Sequence, residues 1–563
     1  MMMKFKLKME RRYKVSKLLI IISLVMLGSI WSYGQEEKYD TLNTSTTYEI
    51  DIQLDSADRN YQPAKVKKQS AVEEKELKYH AQDYKLKVGR LNPRIPIYPI
   101  RAQKPENLNG GVLKLGFGNY ITPYVEVILN NTRDKNNSYG LHLLHHSSQN
   151  GLIDKENSGL STNKIEFYGT NFTAKRYDLS GRLSYDRKGL RFYGYPDSLS
   201  GVLLGDIKRV VNSGVVDLKL KSKGNEKLQY SFGLGYDVLG DNYKMSENTV
   251  RSLVNIKYDL DSNSHIVFEN KNYIGNVKDS LANTSRTYFG LKPYYSFYNP
   301  EKRMRTNIGI NAVIENDSLS KKSVHVYPYV LLDYLLIKPP SLRVFIGMNG
   351  DMERNSLKGL FASNPYMSPV VNVTNANKTI SFFAGLSTTL KKYFTVRLEG
   401  GFSNYKNQYF FVNNRLKQSE FISQVDTGNV TKSYLIGQLK YERKKINAGF
   451  GFEYNQWGTG SVRKAYHRPA LQSDLFIRYQ LNKKLKLGLN TYLYSGIKAY
   501  DIGDVKDVIL PAYTDLSLNA VYQQNKKLSF WLEVNNIFAQ QNQRYLYYPS
   551  QGVNALLGLT YKM

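Results

Sequence analysis

The sequence predicts an all-β protein: a transmembrane antiparallel β-barrel of about 22 strands, with about 18–22 as the range, behind a short N-terminal periplasmic extension. Three observations predict it. The last eleven residues, Val553 to Met563, form one strand that runs to the end of the chain. Its odd-numbered side chains are apolar, whereas Asn554, Gly558, Thr560 and Lys562 are polar or small. The same period-two alternation recurs from Gly111 onward. Short and long connections alternate between the repeats, as they do where hairpins cross a membrane and return.

Taken in order, residues 1–34 read as a signal peptide. Lys4 to Lys17 holds seven basic residues and one acid, and a short, mostly apolar run follows from Leu18 to Trp31. Ser32-Tyr33-Gly34 supplies small residues at the cleavage positions before Gln35. A run of that length is too short for a comfortable helical span. Residues 35–110 are polar, charged and proline-punctuated, with Pro63, Pro93, Pro96, Pro99 and Pro105. Apolar residues are too sparse there for a packed core, so the segment reads as a partly disordered periplasmic extension. Tyr48 to Leu54 is its one short strand-like stretch.

The formal charge is +30, and loss of residues 1–34 with their seven basic and one acidic side chains brings it to +24. Lysine pairs in tight turns carry much of the excess: Lys391-Lys392, Lys444-Lys445, Lys483-Lys484 and Lys526-Lys527. An exported barrel does not meet nucleic acid. The expected partners are outer-membrane lipid and lipopolysaccharide, the barrel-assembly machinery, and a periplasmic or plug-like partner protein. The chain has no cysteine, which excludes disulfides, thiolate metal sites and a lipidated cysteine anchor.

Residues 111–563 carry the barrel pattern. Leu228, Tyr230, Phe232, Leu234 and Tyr236 alternate with Gln229, Ser231, Gly233, Gly235 and Asp237. Ile446 to Asn455 and Leu528 to Asn535 repeat the pattern. A polar and glycine-rich second face is wrong for a dry sandwich core and right for a lumen. The 46 tyrosines, among them Tyr185, Tyr193, Tyr195, Tyr405, Tyr409, Tyr547 and Tyr548 at strand ends, suit aromatic girdles. Short turns at Gly224–Lys227, Asp261–Ser264, Asn299–Lys302, Lys338–Ser341, Lys391–Lys392, Arg443–Lys444 and the two Asn-Lys-Lys sequences are placed in the periplasm with the C-terminus. Long connections at Gln149–Ser161, Pro196–Asp206, Asp351–Ala376, Gln408–Gly428, Ile497–Leu510 and Phe538–Gly552 are placed outside the cell.

The segments Leu510-Pro-Ala-Tyr-Thr-Asp-Leu-Ser-Leu518, Lys527-Leu-Ser-Phe-Trp-Leu-Glu-Val-Asn-Asn-Ile-Phe538, Tyr548-Pro549 and the final strand resemble the last three strands of TonB-dependent receptors, most of all those of Bacteroidota. Two departures matter. The final residue is Met563, where that family has an aromatic, and no plug domain is evident in the 76 residues from Gln35 to Gly110. The resemblance implies a transporter or channel of outer-membrane type, here without a plug, for an unidentified solute. A barrel this wide must then be filled by something else. The Asp351–Ala376 connection is the best filler, with its apolar patch Leu357, Leu360 and Phe361. A scaffold for a secretion or surface-protein complex is the alternative.

Chemistry-bearing clusters are few. His142, His145, His146, Ser147 and Ser148 bring together catalytic residue types, and acyl-ester hydrolysis at the barrel rim is the reaction they would serve. The sequence places no third residue to orient a base, so the cluster reads as a polar strand end and the chain is not read as an enzyme. Asp501, Asp504 and Asp507 read as loop solvation, because their spacing does not fit an EF-hand. Gly116-x-Gly118 and Gly233-x-Gly235 read as close backbone packing. No catalytic, cofactor-binding or metal residue is assigned, and no cofactor is expected.

Overall fold

In a computed structural model of the chain, residues 109–563 are described apart from 133, 150–157, 195–206, 225–226, 320, 338–340 and 391–392. The signal peptide expected over 1–34 and all but the last two residues of the extension expected over 35–110 lie outside the described residues, as do most of the Gln149–Ser161 connection and all of Pro196–Asp206.

A single antiparallel sheet of 22 strands closes on itself. The first strand, Gly111–Gly118, pairs with the second, Thr122–Asn130, on one side and with the last, Asn554–Lys562, on the other. The closing register sets Leu113 against Tyr561, Leu115 against Leu559 and Phe117 against Leu557, all pointing outward. Lys114 against Thr560 and Gly116 against Gly558 point into the lumen. Because a strand turns successive side chains to opposite faces, one alternating sequence supplies both environments. Most strands run 11–17 residues. That is long for a soluble sandwich and sufficient for a tilted strand to cross a bilayer.

The outer face carries a belt of exposed apolar side chains, including Phe117, Ile165, Phe167, Leu183, Leu218, Leu234, Ile308, Ile346 and Leu557. Left in water, such a contiguous surface would aggregate; hydrocarbon covers it. Both barrel termini emerge at the same end, and the turns Asp261–Ser264, Asn299–Lys302, Arg443–Lys444, Asn482–Lys484 and Asn525–Lys527 lie there with them. The long connections all lie at the opposite end.

A tyrosine girdle is present, in a different place from the one the strand-end tyrosines indicated. Exposed Tyr139, Tyr177, Tyr258, Tyr295, Tyr334, Tyr393, Tyr522 and Tyr561 ring the outer face near the short turns. Of the seven singled out in the sequence, Tyr185 is on the outer face, but Tyr405 and Tyr548 are buried and Tyr193 and Tyr409 pack on a buried cluster. Residue type and strand-end position do not distinguish the headgroup from a folded loop cap, since both want an apolar ring with a polar tip.

Candidate functional site: the bridged mouth of the barrel

The Asp351–Ala376 connection is not an open loop. It holds a seven-residue helix, Leu357–Ser363, whose N-cap Ser356 accepts the Gly359 amide at 2.9 Å. Leu357, Leu360 and Phe361 face one buried cluster with Leu190, Val211, Leu239 and Val277 of distant wall strands and with Met245 of the turn before the strand Ser246–Asp259. The connection therefore crosses the mouth from its own strands, Leu342–Glu353 and Ala376–Leu390, to the wall between the fifth and ninth strands. The patch expected to fill the lumen is the patch that docks.

Polar latches fix this bridge. Glu247 accepts from Arg354 Nη2 at 3.0 Å and from the Leu357 amide at 2.8 Å. Arg286 donates to the Asn355 carbonyl at 2.7 Å and to Asn375 Oδ1 at 2.6 Å, while Asn375 donates to Glu315 at 2.6 Å and Asp317 at 2.8 Å. Arg209 is fully buried, pairs with buried Asp241 at 2.9 Å and donates to the Met367 carbonyl. An unpaired guanidinium in that position would be costly, so the carboxylate is what allows it there.

Two further connections complete the cap as β-hairpins, Gln408–Asn413 with Phe421–Asp426 and Gln543–Tyr545 with Tyr548–Pro549. Tyr366 of the bridge stacks on Tyr548 with ring centroids 3.5 Å apart, and Phe421 packs on both Tyr545 and Tyr548. Ser368 donates to Glu420 at 2.8 Å. His467, from the connection after the strand Ile446–Gly458, is buried at the junction. Its Nδ1 donates to the Phe411 carbonyl at 2.8 Å, leaving Nε2 to accept the Leu546 amide at 3.4 Å. Burial pushes its imidazole down to about 4.

Beneath this cap a cavity of about 460 Å³ opens against the seam where the barrel closes. Its wall sets Lys114 over Trp531 and Tyr124, at 4.4 and 4.7 Å from the ring centroids, with Asp515, Glu533 and Arg544 around it. A few charges converging on aromatic faces is how ligand sites are commonly built. The lumen wall is not uniformly positive. Arg182, Asp217, Arg251 and Asp237 form one ladder, and Lys432 meets Glu453 at 3.1 Å.

The residue clusters noted in the sequence separate in space. His142 meets Glu126 at 3.1 Å and His146 packs edge-on against Tyr124, both toward the lumen. His145 and Ser147 point the other way, to the outer face, where His145 Nδ1 lies 2.7 Å from Asn163 Oδ1 and Ser147 Oγ lies 3.3 Å from His145 Nε2. The side chains of the loop aspartates go to separate partners: Asp501 to the Tyr547 hydroxyl at 2.6 Å, Asp504 to Lys506 at 2.6 Å, and Asp507 to Tyr466 at 2.8 Å and Arg463 at 3.0 Å. The Asp504 amide also donates to Asp501 at 3.1 Å. Among the described residues no group of three side chains is arranged for a metal. Side chains built at Gly116, Gly118 and Gly235 would strike neighbours, as close packing requires, whereas Gly233 has ordinary room.

Comparison with known proteins places the fold. The barrel resembles the siderophore receptor PiuA from Acinetobacter baumannii (9% identity, TM-score 0.59, 82% of each chain covered). It also resembles the FrpB iron transporter from Neisseria meningitidis (11%, 0.63, 81% of this chain and 83% of that one). The ferric-catecholate import receptor Fiu from E. coli K12 is similar too (10%, 0.59, 82% and 83%). At this identity the likeness defines the class of fold alone, a closed antiparallel barrel, here of 22 strands. No protein-family model and no curated protein matches the sequence.

Proposed function

We propose that the chain is an outer-membrane transporter related in design to TonB-dependent receptors, without a folded plug of its own, that passes a solute through a lumen gated by its outer connections. The observation that carries this is the bridge over the barrel mouth. It is docked by a small apolar patch and held by separable polar latches at Glu247, Arg286 and Arg209. Such a segment is suited to release, because the loss of a few contacts would be enough to free it from the wall. The likeness to iron and siderophore receptors supports import, and the aromatic and charged cavity at the seam is the place for the solute to dwell. The extension at residues 35–110 is the segment that would meet a periplasmic partner, including TonB.

Single-channel recording of the refolded mature protein, with and without Gln35–Gly110, tests this reading. Ohmic steps in the intact protein, or steps that appear only on truncation or with Glu247→Ala, support a gated path. Silence in all three overturns it. The second reading, a scaffold barrel for a secretion or surface complex, is favoured by how dry the cap is: Phe410, Phe421 and Met367 have no exposed surface. Silence in all three recordings supports that reading.

A further inference from the structure

The outer wall of the barrel carries a second arrangement that transport does not use. His145 and Ser147 are two residues apart on one strand, so both project from the same face. That face points outward: Leu141 and Leu143 below them pair with Phe167 and Ile165, which are exposed on the lipid side. The register of the neighbouring strand, Leu160–Asn171, sets Asn163 directly across from His145. The amide oxygen of Asn163 can only accept, so His145 Nδ1 carries the proton at 2.7 Å and Nε2 presents its lone pair. The Ser147 hydroxyl, 3.3 Å away, donates to that lone pair. Nucleophile, base and orienting group thus stand in the order that acyl transfer requires.

The height of this group on the wall is equally specific. Running up the outer face, Leu143, Ile165 and Tyr185 end the apolar belt, and the next row is His145, Asn163 and Arg187. The row after that is Ser147, Ser161 and Gly189, all small. Above them the Nη1 end of Arg191 leans over Gly159, while its Nε is buried with no hydrogen-bond partner among the described residues. Apolar residues below and arginines beside and above mark the junction between acyl chains and headgroups. Ester carbonyls of a membrane lipid lie at that junction.

We propose that Ser147, His145 and Asn163 form a hydrolytic site for ester-linked acyl chains of lipids lying against the barrel, with Arg187 and Arg191 meeting the anionic headgroup. Ser147 Oγ adds to the ester carbonyl carbon as its proton passes to His145 Nε2. The bond from that carbon to the alcohol oxygen breaks, and His145 returns the proton to the departing alcohol. Water then adds to the acyl-serine, gives one proton to His145 and releases the fatty acid, and that proton restores the Ser147 hydroxyl. Asn163 is a positioning residue that holds the imidazole tautomer. Sequence alone shows no orienting group for this cluster, because Asn163 lies 18 residues from His145 along the chain and only strand register brings the two together.

The full mature chain, refolded in detergent and shown to be folded by its heat-modifiable migration, is treated with a fluorescent fluorophosphonate. It is also assayed for fatty-acid release from phosphatidylglycerol micelles and, separately, from purified lipopolysaccharide. Labelling that is absent in Ser147→Ala and His145→Ala, with release reduced about 10³-fold or more in both, is the expected result. Asn163→Ala should lose about 10²-fold while Asn163→Asp retains activity and shifts the pH profile, which a purely structural role would not do. The substrate arm that releases acid identifies the lipid class. A folded wild-type protein that neither labels nor releases acid, or labelling that persists in Ser147→Ala, overturns the proposal.

Discussion

His467 Nδ1 donates to the carbonyl oxygen of Phe411 across 2.8 Å, and through this bond one buried imidazole joins three outer connections of the barrel. His467 sits in the left-handed region with φ 55°. The backbone turn that aims the ring inward therefore belongs to the cap rather than to either flanking strand.

That burial makes the cap acid-sensitive. In the closed cap the imidazole resists protonation down to about 4, whereas released into water it binds a proton near the ordinary histidine value. The open state therefore holds more protons between those limits. Cap stability is full above about pH 6.5 and falls as pH drops toward 4, by on the order of 3 kcal/mol at most. Fluorescence of Trp457, whose ring lies 6.0 Å from that of Phe410, should report the opening in a Trp531→Phe background. His467→Asn should flatten that pH dependence. A profile that is unchanged by His467→Asn would assign the transition elsewhere.

Arg209 and Asp241 form the buried pair beneath the bridge. Arg209→Ala strands a buried carboxylate and removes the donor to Met367, which should loosen the cap by about 3–5 kcal/mol. Limited proteolysis within 351–376 should then accelerate while the barrel stays heat-modifiable. Arg209→Met combined with Asp241→Asn should recover most of the protection, because no uncompensated charge remains and the side-chain oxygen still accepts the Tyr243 and Met245 amides.

Glu247 is the latch nearest the helix of the bridge. Arg354 and the Leu357 amide use different oxygens of Glu247, so Glu247→Gln keeps an acceptor for one of them and turns an NH2 donor toward the other. Loss of a charge-assisted bond of this kind costs roughly 1.5–3 kcal/mol. Proteolysis of the bridge should rise measurably in this variant, and further in Glu247→Ala.

Closure of the barrel depends on the facing pair Gly116 and Gly558. A methyl group on Gly558 would collide with the carbonyl oxygen of Leu115 and with the Trp531 ring. Backbone cannot give way as a side-chain end can, so Gly558→Ala should cost about 1–3 kcal/mol and lower the folded fraction on refolding. Gly400→Ala is the control, since its nearest neighbours would be 3.6 and 3.7 Å away.

Much of the fold was legible in the chain because alternation is a local property. Which face of Leu228–Asp241 or Leu528–Asn535 meets lipid is decided by residues two apart, and turn chemistry such as Asn-Lys-Lys marks where each hairpin reverses. The filling patch Leu357, Leu360 and Phe361 was also visible, as an apolar group beside the charges Asp351, Glu353, Arg354 and Lys358 in a long connection. The strand-end tyrosines misled, because Tyr405 and Tyr548 carry no local sign of whether a headgroup or a folded loop will meet them.

The sequence by itself thus determined the alternating barrel, its turn end and its loop end. Tertiary structure alone decided what meets across the molecule: Arg209 beneath Met367, His467 beside Phe411, Asn163 beside His145. The physical reason is that alternation sets which way a side chain points, but only closure of the sheet and its register set what stands opposite.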